Sequence, residues 1–282
     1  MSILLSLFLG LIQGITEFLP ISSSGHLSIL QNMLNMDYSE GEHLLFEVLL
    51  HLGTMISICF VYRKEIKAMV SDGLEFLRMR SDPDLEEPLV PKPPARALLF
   101  VFIGTLPLLL VFVLTMFIDI KQLFFNTGFV GFALIVTGGL LFVSDKFIKR
   151  GNKTEKTMTL MDALVIGFSQ AVAVVPGLSR SGTTISVGLT RGLAGSFAVR
   201  FSLLLSIPAV FGATLHSLYS VIRSGADFSL LPVYLAGFVV STVIGFFAIG
   251  LIRRLMSKGS FGKFAYYCWA VGALTLILYF VL

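Results

Sequence analysis

Thiols, tryptophan and charge are all scarce in this 282-residue chain, which holds two cysteines, one tryptophan and four histidines. Cys59 and Cys268 both fall inside apolar runs, which excludes a disulfide framework and a thiolate metal site. Only 13% of the residues are charged, against about 25% in an ordinary soluble domain. The first 42 residues contain no Lys or Arg, so the basic segment that opens a secretory signal is missing. No nucleic-acid partner is expected. What the chain has in abundance is apolar surface: 55% of it is hydrophobic and the mean hydropathy is +0.88. These values specify a polytopic, all-α membrane protein.

Apolar runs of spanning length, about 20 residues, lie near 44–62, 98–118, 124–144, 200–222, 230–252 and 264–282. Two further apolar stretches, 1–34 and 160–190, are interrupted by Pro, Gly and Ser. The cations gather in three loops, 63–97, 145–158 and 253–263, whereas 119–123 and 223–229 hold one each, Lys121 and Arg223. Basic loops stay cytoplasmic. With six full spans, both interrupted stretches must then return to the side they entered from. The expected fold is therefore six spanning helices plus two oppositely oriented re-entrant hairpins, 1–42 entering from outside and 158–198 from the cytoplasm. Each hairpin is followed by three spans, and both termini lie outside.

An internal repeat agrees with this division into 1–157 and 158–282. At an offset of 157, Gly10, Gln13, Ser22, Ser24 and Gly25 fall on Gly167, Gln170, Ser179, Ser181 and Gly182. Inverted repeats with broken helices place their sites near the bilayer midplane. Residues 82–94, with five prolines, read as a solvated linker inside the cytoplasmic loop 63–97, and 66–80 as an amphipathic surface helix. Arg191 and Arg200 read as surface cations that attract lipid headgroups. The glycines Gly128, Gly131, Gly138 and Gly139 allow close helix contact, within one subunit or across a homodimer.

Chemistry-bearing residues concentrate in the two breaks. Pro176-Gly-Leu-Ser179-Arg180-Ser181-Gly182-Thr183-Thr184 puts a guanidinium among hydroxyls and glycine amides. An arginine at membrane depth costs about 2.5–3.5 kcal/mol on insertion scales, so it persists beside an anion or a water-filled cavity. That set of donors suits a many-oxygened anion, most simply phosphate. The first break reads Gln13-Gly-Ile-Thr-Glu17-Phe-Leu-Pro-Ile-Ser22-Ser23-Ser24-Gly25-His26. Gln13 and Glu17 share a helical face, and Glu17 needs a metal ion, Arg180 or a shared proton. Beside it, Ser23 and His26 are of nucleophile and acid/base type. In span 44–62, Glu47 and His51 are again four apart, and can line the same cavity, supply a second shell of hydrogen bonds, or pair with each other.

Together the motifs at 13–26 and 176–184 resemble the undecaprenyl pyrophosphate phosphatases of the bacitracin-resistance type, over essentially the whole chain. The resemblance implies a phosphatase of the bacterial inner membrane that hydrolyses the terminal phosphate of undecaprenyl pyrophosphate and recycles the lipid carrier of cell-wall synthesis. It implies a divalent cation, Mg²⁺ or Ca²⁺, with Glu17 as a metal or proton-handling carboxylate. Ser23, His26 and Arg180 would be catalytic; Gln13, Ser22, Ser24, Ser179, Ser181, Gly182, Thr183 and Thr184 would bind substrate. Where that family's first motif admits Glu or Gln, this chain has Gln13, which offers a metal only a neutral carbonyl oxygen. The rival reading is a polyprenyl-phosphate flippase or other secondary transporter, since alternating access uses the same architecture. The crowding of Ser, His and Glu in one break favours the enzyme.

Overall fold

A computed structural model describes residues 1–34, 40–80, 91–115, 126–223 and 228–281. Within them the first half forms α1 (Ile3–Thr16), α2 (Ser23–Met33), α3 (Glu40–Val61), α4 (Arg63–Arg80), α5 (Pro93–Thr115) and α6 (Thr127–Asp145). The second half follows the same order without a counterpart of α4: α7 (Leu160–Val172), α8 (Arg180–Thr190), α9 (Gly195–Arg223), α10 (Leu231–Ser257) and α11 (Lys263–Val281). Among the described residues, six segments are long and apolar enough to cross a membrane: Leu44–Val61, Pro93–Val111, Thr127–Asp145, Gly195–Arg223, Leu231–Ser257 and Lys263–Val281. The expected count of spans holds, with ends shifted by a few residues.

Two short helix–break–helix units stand where the interrupted stretches were expected. In the first, α1 ends before Pro20, and Ser22 caps α2 by accepting the Gly25 N–H at 3.2 Å. In the second, Gly177 at φ +87° turns the chain and Ser179 caps α8 through the Gly182 N–H at 3.1 Å. The caps extend to the outer ends as well. Ser2 accepts from the Leu5 N–H, and Thr159, again at offset 157, accepts from the Asp162 N–H. Each such cap is worth about 1 kcal/mol.

The halves interlock. α1 packs along α10, and α7 along α5. Glycines make both contacts close: a Cβ on Gly10 would come within 2.9 Å of the Gly237 Cα, and one on Gly167 within 2.8 Å of the Gly104 Cα. α6 packs on α11, where Gly128 meets Tyr279, Gly131 meets Gly272 and Leu276, and Gly138 meets Trp269. Three of the four small residues in α6 thus serve contacts within one chain. The main core lies between these helices and includes Phe18, Ile58, Leu141, Ile166, Ile185, Leu205 and Ile249.

Three sequence readings change. Residues 82–90 of the expected linker lie outside the described residues, but Pro93 and Pro94 open α5 instead of belonging to a linker. Proline is tolerated there because first-turn N–H groups have no helical acceptor. The surface helix is α4, which begins earlier than expected and exposes Val70, Leu74 and Leu77. Arg191 and Arg200 also have carboxylate partners in the protein. Arg191 Nε pairs with Asp162 Oδ1 at 2.8 Å, and Arg200 with Glu155 Oε2 at 2.6 Å.

Candidate active site

A pocket of about 380 Å³ opens where the two breaks meet. Ser22, Ser23 and Ser24 line it from the first turn of α2, and Ser179, Arg180 and Ser181 from the first turn of α8. Two helix N-termini therefore contribute to one cavity, and each carries unpartnered N–H groups and partial positive charge. Ser22 stands at φ +69°, the one non-glycine residue at positive φ among the described residues. Such a conformation costs about 1–3 kcal/mol and persists where surroundings enforce it. Here the cap bond to Gly25 holds it.

Glu17 is the hub. It is 6% exposed, and Arg180 Nη2 donates a short hydrogen bond to its Oε1 within an ion pair. Its Oε2 accepts from Ser23 Oγ at 2.6 Å and from Gln13 Nε2 at 3.0 Å. His51 Nδ1 lies 3.0 Å from that same Nε2 and 3.5 Å from Oε2. A buried carboxylate is tolerable only with such partners; removing one side of a buried pair costs about 3–5 kcal/mol. Arg180 keeps 26% of its side chain exposed, so its guanidinium faces the pocket while anchored to Glu17.

The pocket brings together Glu17, Ser22, Ser23, Ser24, Ser179, Arg180 and Ser181 from the expected set, with Glu47 and His51 lining it directly. Glu47 also accepts from Gln31 Nε2 at 3.3 Å. Other expected residues stand behind the wall. Gln13 is fully buried and orients Glu17. Gly182 serves the α8 cap. Thr184 Oγ1 donates to the Arg180 carbonyl at 2.8 Å and lies 2.5 Å from Ser202 Oγ, which fixes the turn that carries Arg180. Thr183 is buried with no partner for its hydroxyl among the described residues. His26 is turned away from Ser23: Nδ1 lies 2.8 Å from the Ser22 carbonyl, and Nε2 lies 2.8 Å from the hydroxyl of Tyr267, on which the ring stacks.

Sequence reasoning did not place the rest of the lining. Leu108 of α5, Ala209, Val210, Ala213, Thr214 and Ser217 of α9, Gln170 of α7 and Ala173 and Val174 just after it form more of the wall, with Leu44, Val48 and Leu178. Thr214 and Ser217, on the face shared with Val210 and Ala213, were the available signal. Gln170 entered only as a repeat match. It is 1% exposed, and both carboxamide atoms lack protein partners among the described residues.

The geometry thus joins a hydroxyl poised on a carboxylate to an arginine and two helix N-termini, beside an apolar wall. Comparison with known proteins points the same way. The family model described as "Bacitracin resistance protein BacA" matches residues 6–274. The chain belongs to this family. Among BacA relatives, a protein of Methanosphaera stadtmanae named undecaprenyl-diphosphatase is 37% identical over 284 residues, covering 100% of both chains. Undecaprenyl-diphosphatases of Methanobrevibacter smithii and Syntrophotalea carbinolica are 38% and 39% identical over 278 residues, with 97–98% of each chain covered. The BacA match encloses both breaks and therefore every residue of the pocket.

Proposed function

We propose that this chain is an integral membrane phosphatase that hydrolyses undecaprenyl pyrophosphate to undecaprenyl phosphate and inorganic phosphate. The observation that carries the reading is the Ser23–Glu17–Arg180 chain of contacts inside one pocket that also has an apolar wall. Phosphoryl transfer asks chiefly for positioning and charge neutralisation. Arg180 and the first-turn N–H groups of α2 and α8 receive the pyrophosphate. Leu108, Val210 and Ala213 accept the start of the prenyl chain.

Ser23 Oγ attacks the terminal phosphorus while Glu17 Oε2 takes its proton. An O–P bond forms at Ser23, the bridging P–O bond breaks, and undecaprenyl phosphate leaves with the electron pair. Water then hydrolyses the phosphoserine, with Glu17 and His51 handling the proton. His26 acts through the backbone: held between the Ser22 carbonyl and Tyr267, it keeps the first turn of α2 in place.

A divalent cation belongs to this reading. Mg²⁺ is commonly held by one or two carboxylates and substrate phosphates, and Ca²⁺ also takes oxygen donors. Glu17, Glu47 and the serine hydroxyls form such a hard donor set. Among the described residues no group of three His, Cys, Asp or Glu could hold an ion alone, so Glu17 and Glu47 would hold it together with oxygens of the substrate. The ion would supply charge neutralisation on the phosphoryl oxygens.

The paired short helices are read as re-entrant hairpins of an inverted repeat in a bacterial plasma membrane, with both termini outside. Support comes from the offset of 157, the matching caps and the matching glycine contacts. The test is phosphate release from polyprenyl pyrophosphate by purified protein, with and without EDTA. Chelator-sensitive release is expected, with a phosphoserine at Ser23 trapped by acid quenching. No release from well-folded protein would overturn the reading in favour of transport.

A further inference from the structure

The pocket holds polar side chains that the mechanism above leaves idle, Gln170, Thr214 and Ser217 among them. Gln170 lies one turn before the second break, is 1% exposed, and lines the cavity, with both carboxamide atoms unpartnered among the described residues. Its match in the first half is Gln13, whose NH₂ group donates to Glu17 and lies 3.0 Å from His51 Nδ1, although its carbonyl oxygen has no partner among the described residues. Glu17 in turn falls opposite Val174 at the same offset. The second carboxamide therefore has no carboxylate of its own to orient.

Resting on the phosphatase reading, we propose that Gln170 binds the pyrophosphate headgroup, its amide donating to a non-bridging phosphate oxygen. A buried carboxamide without a partner disfavours the fold, so its presence in this wall asks for a ligand. Because both ends are free, the amide can turn its NH₂ toward the anion. Its neutrality suits the place. A glutamate there would repel pyrophosphate. Gln170 gives a donor without a charge.

The test separates this inference from the phosphatase reading by using two readouts. Wild-type protein, Gln170→Met and Gln170→Glu are compared for phosphate release and for the thermal shift induced by polyprenyl pyrophosphate. Gln170→Met keeps the volume and removes the donor. It is expected to unfold at the same temperature as wild type or higher, since an unsatisfied polar group is gone. Its KM is expected to rise roughly tenfold, the loss of one hydrogen bond to a charged group, with a smaller change in kcat. Gln170→Glu should bind more weakly still. A lowered unfolding temperature in Gln170→Met with KM within twofold of wild type would assign Gln170 to structure alone and overturn the proposal. Should wild type release no phosphate, the reading of the reaction fails, and the ligand-induced thermal shift still decides whether Gln170 binds the headgroup.

Discussion

After the serine cap of α2 comes Ser23; after the serine cap of α8, at the same offset, comes Arg180. The same substitution of roles recurs along both units. Gln13 matches Gln170, Ser24 matches Ser181 and Gly25 matches Gly182, yet Glu17 matches Val174 and His26 matches Thr183. What repeats is the frame: cap, small residue, close glycine contact. What differs is the charge chemistry. One unit brings a carboxylate and a hydroxyl, the other a guanidinium and an apolar wall. Packing requirements repeat because both units must satisfy the same unpaired backbone groups within apolar surroundings. A reaction that moves negative charge needs opposite partners, so identical units could not perform it.

The largest effects are expected where the two units meet. Arg180→Ala removes both the anion receptor and the partner of a buried carboxylate. Phosphate release should fall by at least about a thousandfold, as for other charge-stabilising groups in phosphoryl transfer. Stability should fall by about 3–5 kcal/mol. Glu17→Gln should abolish turnover to a similar degree while costing less stability, because Arg180 retains access to the pocket. The pair of variants is read by release assays and thermal unfolding. Equal stability losses would mean that the two units do not divide the charge in this way.

The architecture was legible because burial in lipid writes itself in composition. Six apolar runs could only be spans, and the cation distribution separated them into halves. Glu17, Ser23 and Arg180 were legible for the opposite reason: polar groups in apolar breaks have few explanations. Other parts left little trace. Leu108 and Val210 look the same whether they face lipid or line a pocket. The proximity of His51 to Glu17 depends on how α3 crosses α1, which no local pattern records. The turn of His26 toward Tyr267, 241 residues away, was likewise invisible, so its nearness to Ser23 in sequence suggested a partnership that the fold does not build. Arg191 and Arg200 looked like free surface cations because their carboxylates lie 29 and 45 residues off.

The shared frame can be broken more gently. Gly10→Ala and Gly167→Ala each push a methyl into the backbone of the helix opposite. Overpacking of this kind costs about 1–3 kcal/mol, and the two variants should lose similar amounts, measured as unfolding midpoints in the same detergent. Gly139→Ala meets no atom within 4 Å and serves as the neutral comparison. A loss at only one of the two sites would show that the halves resemble each other in sequence offset but not in packing.

The smallest effect probes the outer ends of the same units, where Leu5 stands opposite Asp162. Asp162 is buried at the start of α7, outside the six spans, within reach of Lys153 Nζ at 2.9 Å and Arg191 Nε at 2.8 Å. Burial alone would raise its carboxyl value, but hydrogen bonds from Lys153, from the Thr159 N–H and hydroxyl, and from Arg191 outweigh it and hold the group at about 2. A lowered folded value means that ionised Asp162 stabilises the fold above the unfolded value near 4, and that this contribution is lost as pH falls through 2. Asp162→Asn keeps an acceptor for the α7 cap but removes the charge. It should lower stability by up to about 2 kcal/mol at neutral pH. The gap between variant and wild type should be constant from pH 7 to 5 and should close between pH 4 and 2. A gap that already narrows above pH 5 would place the relevant titration elsewhere.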